Sequence, residues 1–174
     1  RKDTFFGDGA VAHIAFADPV CSQLQPLLAE MARECGATTW EGGTYVCMEG
    51  PAFSTRAESN LYRSWGVDVI GMTNLPEAKL AREAEICYST VALVTDFDCW
   101  HETEEEVSVE MLLENLRKNA HMAQRILKAL LQNLPQERGC PCGSALADAL
   151  LTPPDAIPPQ TRERLDLLIG KYVD

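Results

Sequence analysis

The sequence predicts an α/β fold, because segments with the pattern of strands alternate with segments with the pattern of helices. Four short apolar segments have the strand pattern, and they lie at about residues 10–16, 44–49, 67–72 and 91–95. Helical patterns separate them, and the chain after the fourth segment is helical in pattern. With 174 residues, of which 46% are apolar, the chain is long enough for one domain with a hydrophobic core.

The first predicted strand contains His13 among apolar residues. The strand alone favours a core or interface histidine bonded to a backbone carbonyl over a functional one. A helix follows over about residues 18–35, because apolar residues recur there at helical spacing and Gly36 stands where a helix commonly ends in glycine. The apolar stripe of this helix needs no role beyond packing.

The second predicted strand leads through a glycine-containing loop into a helix. Thr55 and Glu58 have the spacing of a capping box, which predicts that the helix starts there. Phe53 and Ser54 lie in the loop just before the helix, where their side chains can face a ligand. For Phe53 the alternative is that its ring packs against the start of the helix.

The third predicted strand ends at Met72 and is followed by another helix start. Asn74 and Glu77 form a second pair with the spacing of a capping box. Backbone donors and the Thr73 hydroxyl therefore gather at a helix N-terminus, which is a natural site for an anion. The signal is weak taken alone, because every strand–helix junction has such donors.

The fourth predicted strand is a buried one, and it ends in two carboxylates, Asp96 and Asp98. Open α/β sheets bind ligands in the crevice at the carboxyl ends of their strands, so these residues are the first functional candidates. Side chains two residues apart on a strand point to the same face. Close carboxylates can keep one proton and supply a general acid, or they can bind a divalent cation, and the pattern does not decide between these roles.

The acidic segment 101–106 is expected to be a solvated loop at a helix N-terminus rather than a metal site. A long amphipathic helix is predicted over about residues 108–133, followed by a loop and two short helices at about 144–151 and 159–168. A proline-rich linker over residues 152–159 joins the two short helices.

The seven cysteines are an odd number and are spread through apolar segments, which indicates reduced thiols and a cytoplasmic protein. Cys140 and Cys142 form a close pair in a loop. This pair lacks the second pair that a zinc site would need, and two free thiols are favoured over a disulfide. The net charge of -11 argues against nucleic-acid binding, and no apolar run is long enough for a membrane span.

Many spaced residues resemble the purine nucleoside phosphorylase family, and specifically its members that act on 5'-methylthioadenosine. The resemblance runs nearly unbroken from Gly43 to about Val109. It is carried by the stretch from Gly43-Thr44 through Glu49-Gly50-Pro51, and by Phe53-Ser54, Arg56-Ala57-Glu58, Trp65-Gly66, Asp68-Val69-Ile70, Met72-Thr73, Pro76-Glu77, Ala81, Glu83-Ala84 and Thr95-Asp96-Phe97-Asp98-Cys99-Trp100.

The resemblance implies a three-layer fold with a mixed central sheet flanked by helices. The family's glycine-rich phosphate loop and its Arg-His phosphate pair have no counterpart here and would lie upstream. We therefore expect residues 1–174 to be the C-terminal part of a single nucleoside phosphorylase domain, with its N-terminal strands missing. This chain alone is expected to be inactive. A departure from relatives is Gly71, where a larger polar residue is common.

The family is a group of pentosyl-transferring enzymes, and the resemblance implies phosphorolysis of 5'-methylthioadenosine to adenine and 5-methylthioribose 1-phosphate. Inorganic phosphate is the co-substrate, and no metal or organic cofactor is expected. Asp96 would donate a proton or hydrogen bond near N7 of the departing purine. Asp98 would accept a hydrogen bond from the 6-amino group or hold Asp96 in place.

The resemblance assigns further residues to the substrate. Phe53 and Ser54 would border the base, Met72 the ribose, and Thr73 the phosphate. The apolar pocket for the 5'-methylthio group would be lined by Val107, Val109 and Leu112. His13 would reach this pocket in a neighbouring subunit, which implies a homotrimer.

Three other interpretations stay open. The first is a phosphorylase for 6-oxopurine nucleosides or methylthioinosine. The second is a metal-dependent transferase that uses Asp96 and Asp98 with His101 or Glu102. The third is a non-catalytic fragment that folds only with a partner chain.

Overall fold

The computed structural model describes residues 1–101 and 109–173. Within these ranges the α-helices and strands follow in the order α1 Leu24–Glu34, β1 Tyr45–Cys47, α2 Arg56–Ser64, β2 Val69–Gly71, α3 Asn74–Glu83, α4 Val109–Asn133 and α5 Pro159–Val173. Two short 3-10 helices, Pro141–Ser144 and Pro154–Ala156, lie between α4 and α5. No helix within the described ranges is long and apolar enough to cross a bilayer.

The chain folds into two compact units. The first unit contains Arg1–Gln25, Thr73–Thr90 and Gln136–Asp174. The second unit contains Pro26–Met72 and Val91–Pro135. That residues 1–174 belong to a single larger domain stays a prediction.

The second unit contains the pairing of β1 and β2, which confirms two of the predicted strands. They are parallel, and Tyr45 lies opposite Val69 while Cys47 lies opposite Gly71. A Cβ atom at Gly71 would stand 1.8 Å from the Tyr45 hydroxyl oxygen. The tyrosine ring therefore occupies the space that a larger residue at position 71 would need.

Two other predicted strands are not formed, and these predictions were wrong. Residues 10–16 make only isolated antiparallel bridges, between Gly7 and Ala10 and between Ala12 and Leu150. Residues 91–95 have no strand assignment, and Val94 is 67% exposed. An apolar segment becomes a strand only where a neighbouring strand takes up its backbone hydrogen bonds. Among the described residues the Asn119 side chain donates to the Val94 carbonyl at 3.1 Å, but no strand pairs with residues 91–95.

Local signals set the start of α2 but not that of α3. The Thr55 side chain accepts a hydrogen bond from the Glu58 backbone N–H, and the Glu58 side chain accepts one from the Thr55 backbone N–H. The predicted capping box is therefore confirmed. At α3 the expected cap is wrong, because Thr73 is the N-cap residue and its side chain makes no capping bond. The Asn74 and Glu77 side chains instead accept hydrogen bonds from the Tyr88 hydroxyl, at 3.3 Å each.

The core of the first unit forms around α5. Leu165, Ile169 and Val173 recur every four residues along this helix and are buried. They belong to one cluster with Ala10, Leu146, Ala149 and Ile157. The predicted helix over residues 144–151 is wrong, because turns follow the 3-10 helix that ends at Ser144 and Leu150 forms a β-bridge. The final helix extends beyond its predicted end at residue 168.

A buried carboxylate joins three parts of the first unit. Glu85 is 8% exposed and accepts hydrogen bonds from the Leu146 N–H at 2.9 Å and the Tyr172 hydroxyl at 2.6 Å. It also forms an ion pair with Lys171. Burial by itself would raise the pKa of Glu85, but these donors outweigh it, so the pKa lies below its ordinary value.

We expect Glu85→Gln to lower the free energy of unfolding by about 2 kcal/mol at neutral pH, since a buried hydrogen bond to a charged group contributes about 1.5–3 kcal/mol. Because the folded-state pKa of Glu85 is depressed, its contribution is present above its ordinary pKa of 4.5 and is lost as pH falls through the folded-state value. Thermal unfolding between pH 4 and pH 7 measures this.

Glu114→Gln is the matched control, because the Glu114 carboxylate also has a lowered pKa and a lysine partner, Lys118, but is exposed. An exposed pair of this kind contributes little to stability. Equal effects of the two substitutions at neutral pH would contradict the role assigned to Glu85.

Candidate functional site

Asp98 is the better fixed of the two predicted catalytic carboxylates. It is half-buried, and its Oδ2 accepts a hydrogen bond of 2.5 Å from the hydroxyl of Ser59, which is 1% exposed. Its Oδ1 accepts from the Cys99 N–H at 2.8 Å, and its backbone carbonyl accepts from the His101 N–H at 3.0 Å. Asp98 is therefore oriented by α2 and by its own loop.

Asp96 lies two residues earlier and is exposed. Its Oδ1 accepts a hydrogen bond of 2.5 Å from the neighbouring Thr95 hydroxyl. The two carboxylates thus have different hydrogen-bond partners, one a neighbour in the loop and the other on a helix. This arrangement leaves Asp96 accessible to a ligand and holds Asp98 in a fixed direction.

Ser54 lies beside the same loop. It is half-buried, its hydroxyl donates to the Met48 sulfur at 3.3 Å, and its carbonyl accepts from the Cys99 thiol at 3.6 Å. The loop before α2 and the loop that carries Asp98 are therefore in contact. Phe53, beside Ser54, is 86% exposed, so its ring is not packed against the start of α2 as the alternative interpretation required.

Aromatic contacts hold the Asp98 loop together and against α2. The rings of Phe97 and His101 stack with their centroids 4.5 Å apart. The guanidinium carbon of Arg63, which is on α2, lies 3.7 Å from the centroid of a Trp100 ring. A cation this close to an aromatic face is attracted by the ring's quadrupole. The ring contact adds a second attachment between the loop and α2.

Met72 and Thr73 follow β2. Met72 is half-buried, and a Cβ atom at Gly50 would stand 2.7 Å from its sulfur, so the missing side chain at position 50 gives Met72 its space. Thr73 is exposed, and its hydroxyl makes no capping hydrogen bond at the start of α3. The predicted ribose and phosphate roles of these residues stay predictions.

The other predicted site residues are His13 and those of the 5' pocket. The backbone N–H of His13 donates to the Ala149 carbonyl at 2.8 Å. Its side chain is exposed, so a buried core role for the ring is wrong. Val107 and Glu102 lie outside the described residues. Val109 and Leu112 lie on α4, but their side chains are outside the described part of the chain.

Sequence reasoning missed Ser59 and Arg63, which attach the Asp98 loop to α2. The signal for Ser59 was weak, because a serine inside a short helix is ordinary in composition. A serine four residues after a capping threonine lies close to the same helix face as that threonine, and this spacing could have suggested that Ser59 faces the neighbouring loop.

Comparison with known proteins gives a consistent set of relatives. The model of the phosphorylase superfamily matches residues 1–132. The S-methyl-5'-thioadenosine phosphorylase of Geobacter sulfurreducens is 61% identical over 173 residues, which cover 99% of this chain and 60% of that protein. That of Koribacter versatilis is 55% identical over 172 residues, covering 99% of this chain and 59% of the relative. The chain thus spans about 60% of the length of the curated relatives it matches.

Solved structures of phosphorylases also match this chain. A methylthioadenosine phosphorylase from an antarctic soil metagenomic library matches with a TM-score of 0.89 and 48% identity, over 97% of this chain and 60% of that one. A variant of the adenosine/methylthioadenosine phosphorylase of Schistosoma mansoni, in complex with methylthioadenosine, matches with a TM-score of 0.70 and 33% identity, over 79% of this chain and 54% of that one. These matches confirm the predicted fold class.

We expect Ser59→Ala to loosen the Asp98 loop, because it removes the hydroxyl that donates to the Asp98 carboxylate. A hydrogen bond to a charged group contributes about 1.5–3 kcal/mol, which corresponds to about a tenfold or greater rise in the amide exchange rates of Cys99 and His101. Hydrogen–deuterium exchange with mass spectrometry measures this.

Ser64→Ala is the control on the same helix, since the Ser64 hydroxyl donates to the Leu61 carbonyl within α2. It should leave exchange in residues 95–101 unchanged. If the two variants exchanged alike in this loop, the Ser59 hydrogen bond would not be what orients Asp98.

Proposed function

Because this chain belongs to the phosphorylase superfamily, we propose that the longer protein of which it forms a part catalyses the phosphorolysis of 5'-methylthioadenosine. The products are adenine and 5-methylthioribose 1-phosphate, and inorganic phosphate is the co-substrate. The proposal is supported by relatives named for this activity at 55–61% identity over 99% of the chain. These 174 residues alone, the C-terminal part of a single domain, are proposed to be inactive.

The observation that carries the catalytic assignment is the unequal placement of the two carboxylates. Asp98 is held by the buried hydroxyl of Ser59, whereas Asp96 is exposed beside it in the chain. Cleavage of a glycosidic bond leaves negative charge on the departing purine. In our proposal Asp96 supplies the hydrogen bond or proton near N7 that relieves this charge.

The acidic pair of Asp96 and Asp98 is proposed to determine which purine leaves. A carboxylate oxygen can accept two hydrogen bonds, so the bonds from Ser59 and Cys99 leave Asp98 further acceptor capacity. An exocyclic 6-amino group is a donor and suits such an acceptor, whereas a 6-oxo group does not. The fixed direction of Asp98 therefore supports adenine over hypoxanthine and guanine.

The remaining substrate contacts are proposed from the family resemblance. Phe53 and Ser54 border the base, and the contact between the Ser54 carbonyl and Cys99 supports this by placing that loop beside the Asp98 loop. Met72 borders the ribose and Thr73 contacts phosphate. Val107, Val109 and Leu112 line the 5' pocket. The exposed His13 reaches that pocket in a neighbouring subunit of a cytoplasmic homotrimer, and the reaction uses no metal or organic cofactor.

The test uses the full-length protein with 5'-methylthioadenosine, with and without phosphate, and follows free adenine. We expect phosphate-dependent release, and we expect Asp96→Asn to lower kcat/KM by about 100-fold or more, the usual contribution of a positioned general acid. The loss should be smaller for 6-oxopurine nucleosides. Asp155→Asn, at an exposed position on a 3-10 helix, is the control and should retain full activity.

The other interpretations predict different results. Release without phosphate would indicate a hydrolase. Preference of the unmodified protein for inosine or methylthioinosine would indicate a 6-oxopurine phosphorylase. Loss of activity with a chelator, restored by a divalent cation, would support the metal-dependent transferase. No release from any nucleoside would contradict phosphorolysis altogether.

A further inference from the structure

Four cysteines that are far apart in the sequence come together in the first unit. Their Sγ atoms, those of Cys21, Cys87, Cys140 and Cys142, all lie within 4.8 Å of one another. Cys21 and Cys142 are buried and the other two are half-buried. All four are free thiols, and the sulfurs of Cys87 and Cys140 are 3.4 Å apart.

We propose that these four cysteines form a tetrahedral thiolate site for a zinc ion. Zinc–sulfur bonds of about 2.3 Å place the sulfurs of a tetrahedral site about 3.8 Å apart. The separations in the cluster, 3.4 Å for one pair and at most 4.8 Å for any pair, bracket that distance. The cluster therefore has the sulfur spacing that four ligands around one ion need.

Zinc is the metal that this ligand set favours. Four sulfur ligands in a tetrahedron are typical of zinc and of iron–sulfur centres, whereas magnesium and calcium prefer oxygen. All four positions are filled by protein ligands, which is the arrangement of structural zinc sites rather than catalytic ones. The site would therefore stabilise the fold and is independent of the proposed phosphorolysis.

A backbone donor already points at one of the sulfurs. The Leu24 N–H donates to the Cys21 sulfur at 3.4 Å. Four thiolates around a divalent cation leave a net negative charge, and N–H donors to sulfur offset part of it.

Other contacts hold the three cysteine-bearing segments in place without any metal. The Cys21 N–H donates to the Tyr88 carbonyl at 2.8 Å, which attaches the first segment to the second. The Gly139 N–H donates to the Gln23 side chain at 2.9 Å, and Arg138 donates to the Glu85 carbonyl at 3.0 Å. The cluster is therefore preorganised by hydrogen bonds that are independent of its sulfurs.

The cluster supplies a second pair of cysteines that the sequence did not show. The close pair Cys140 and Cys142 was expected to lack the partner pair that zinc requires. The partners are Cys21 and Cys87, which do not form a close pair in the sequence and so carry no spacing motif. The expectation of separate thiols at Cys140 and Cys142 agrees with the structure.

The first test is elemental analysis of the untagged full-length protein, purified under reducing conditions without chelator. We expect about one zinc per chain, the stoichiometry of a closed structural site. Native mass spectrometry should show the same species, and cobalt substitution should give the visible absorption of a tetrahedral cobalt–thiolate centre. These measurements need no variant, so a folding defect cannot obscure them.

Variants then locate the metal. Cys21→Ser and Cys142→Ser should each lower zinc retention by about 10-fold or more under competition with a chelator, since each removes one of four ligands. Cys35→Ser is the matched control, a half-buried free thiol outside the cluster, and should retain zinc fully.

Several outcomes would overturn the proposal. A metal-free protein whose four thiols all react with an alkylating agent would contradict it. A mass deficit of about 2 Da per bridge, which shows that disulfides join these cysteines, would contradict it as well. Iron in place of zinc, or equal zinc loss from Cys35→Ser, would also contradict it.

Discussion

A buried carboxylate must be surrounded by donors, and in the first unit this requirement falls on Glu85. Its side chain accepts from Leu146 and Tyr172 and pairs with Lys171, while its carbonyl accepts from Arg138. These donors come from different places in the chain, so Glu85 joins α5 and the loop after α4 to the segment that follows α3. Cys87 lies two residues beyond Glu85, and Cys140 two residues beyond Arg138. The Arg138 bond to the Glu85 backbone carbonyl therefore also holds two of the cysteine-bearing segments together.

In the second unit, the buried hydroxyl of Ser59 determines how Asp98 is oriented. The capping box of α2 sets where that helix begins, and Ser59, one turn later, donates to Asp98. Arg63, a further turn along, covers Trp100 in the same loop. Three positions spaced by four residues thus serve helix initiation, carboxylate orientation and loop attachment. The contacts of α2 hold Asp98 in place, whereas Asp96 stays exposed. The different roles proposed for the two carboxylates follow from this difference.

The apolar segment before Asp96 is not covered by the described residues. Val91, Leu93 and Val94 are exposed, although their composition is that of a buried strand. Such a segment is buried where a further strand pairs with its backbone and helices cover the faces of the sheet. This exposure agrees with the proposal that the chain is part of a longer domain, since it spans about 60% of its curated relatives.

The sequence by itself determined the features that depend on residues close together in the chain. These are the α/β class, the capping box at Thr55, the amphipathic helix α4, the strands β1 and β2, and the position of the two carboxylates after residues 91–95. The sequence did not reveal that Ser59 orients Asp98, that donors gather around Glu85, or that Cys21 and Cys87 complete the pair at Cys140 and Cys142. Each of these is a contact between residues distant in the chain. Spacing rules describe periods of two to four residues, so only the tertiary structure could decide which distant groups meet.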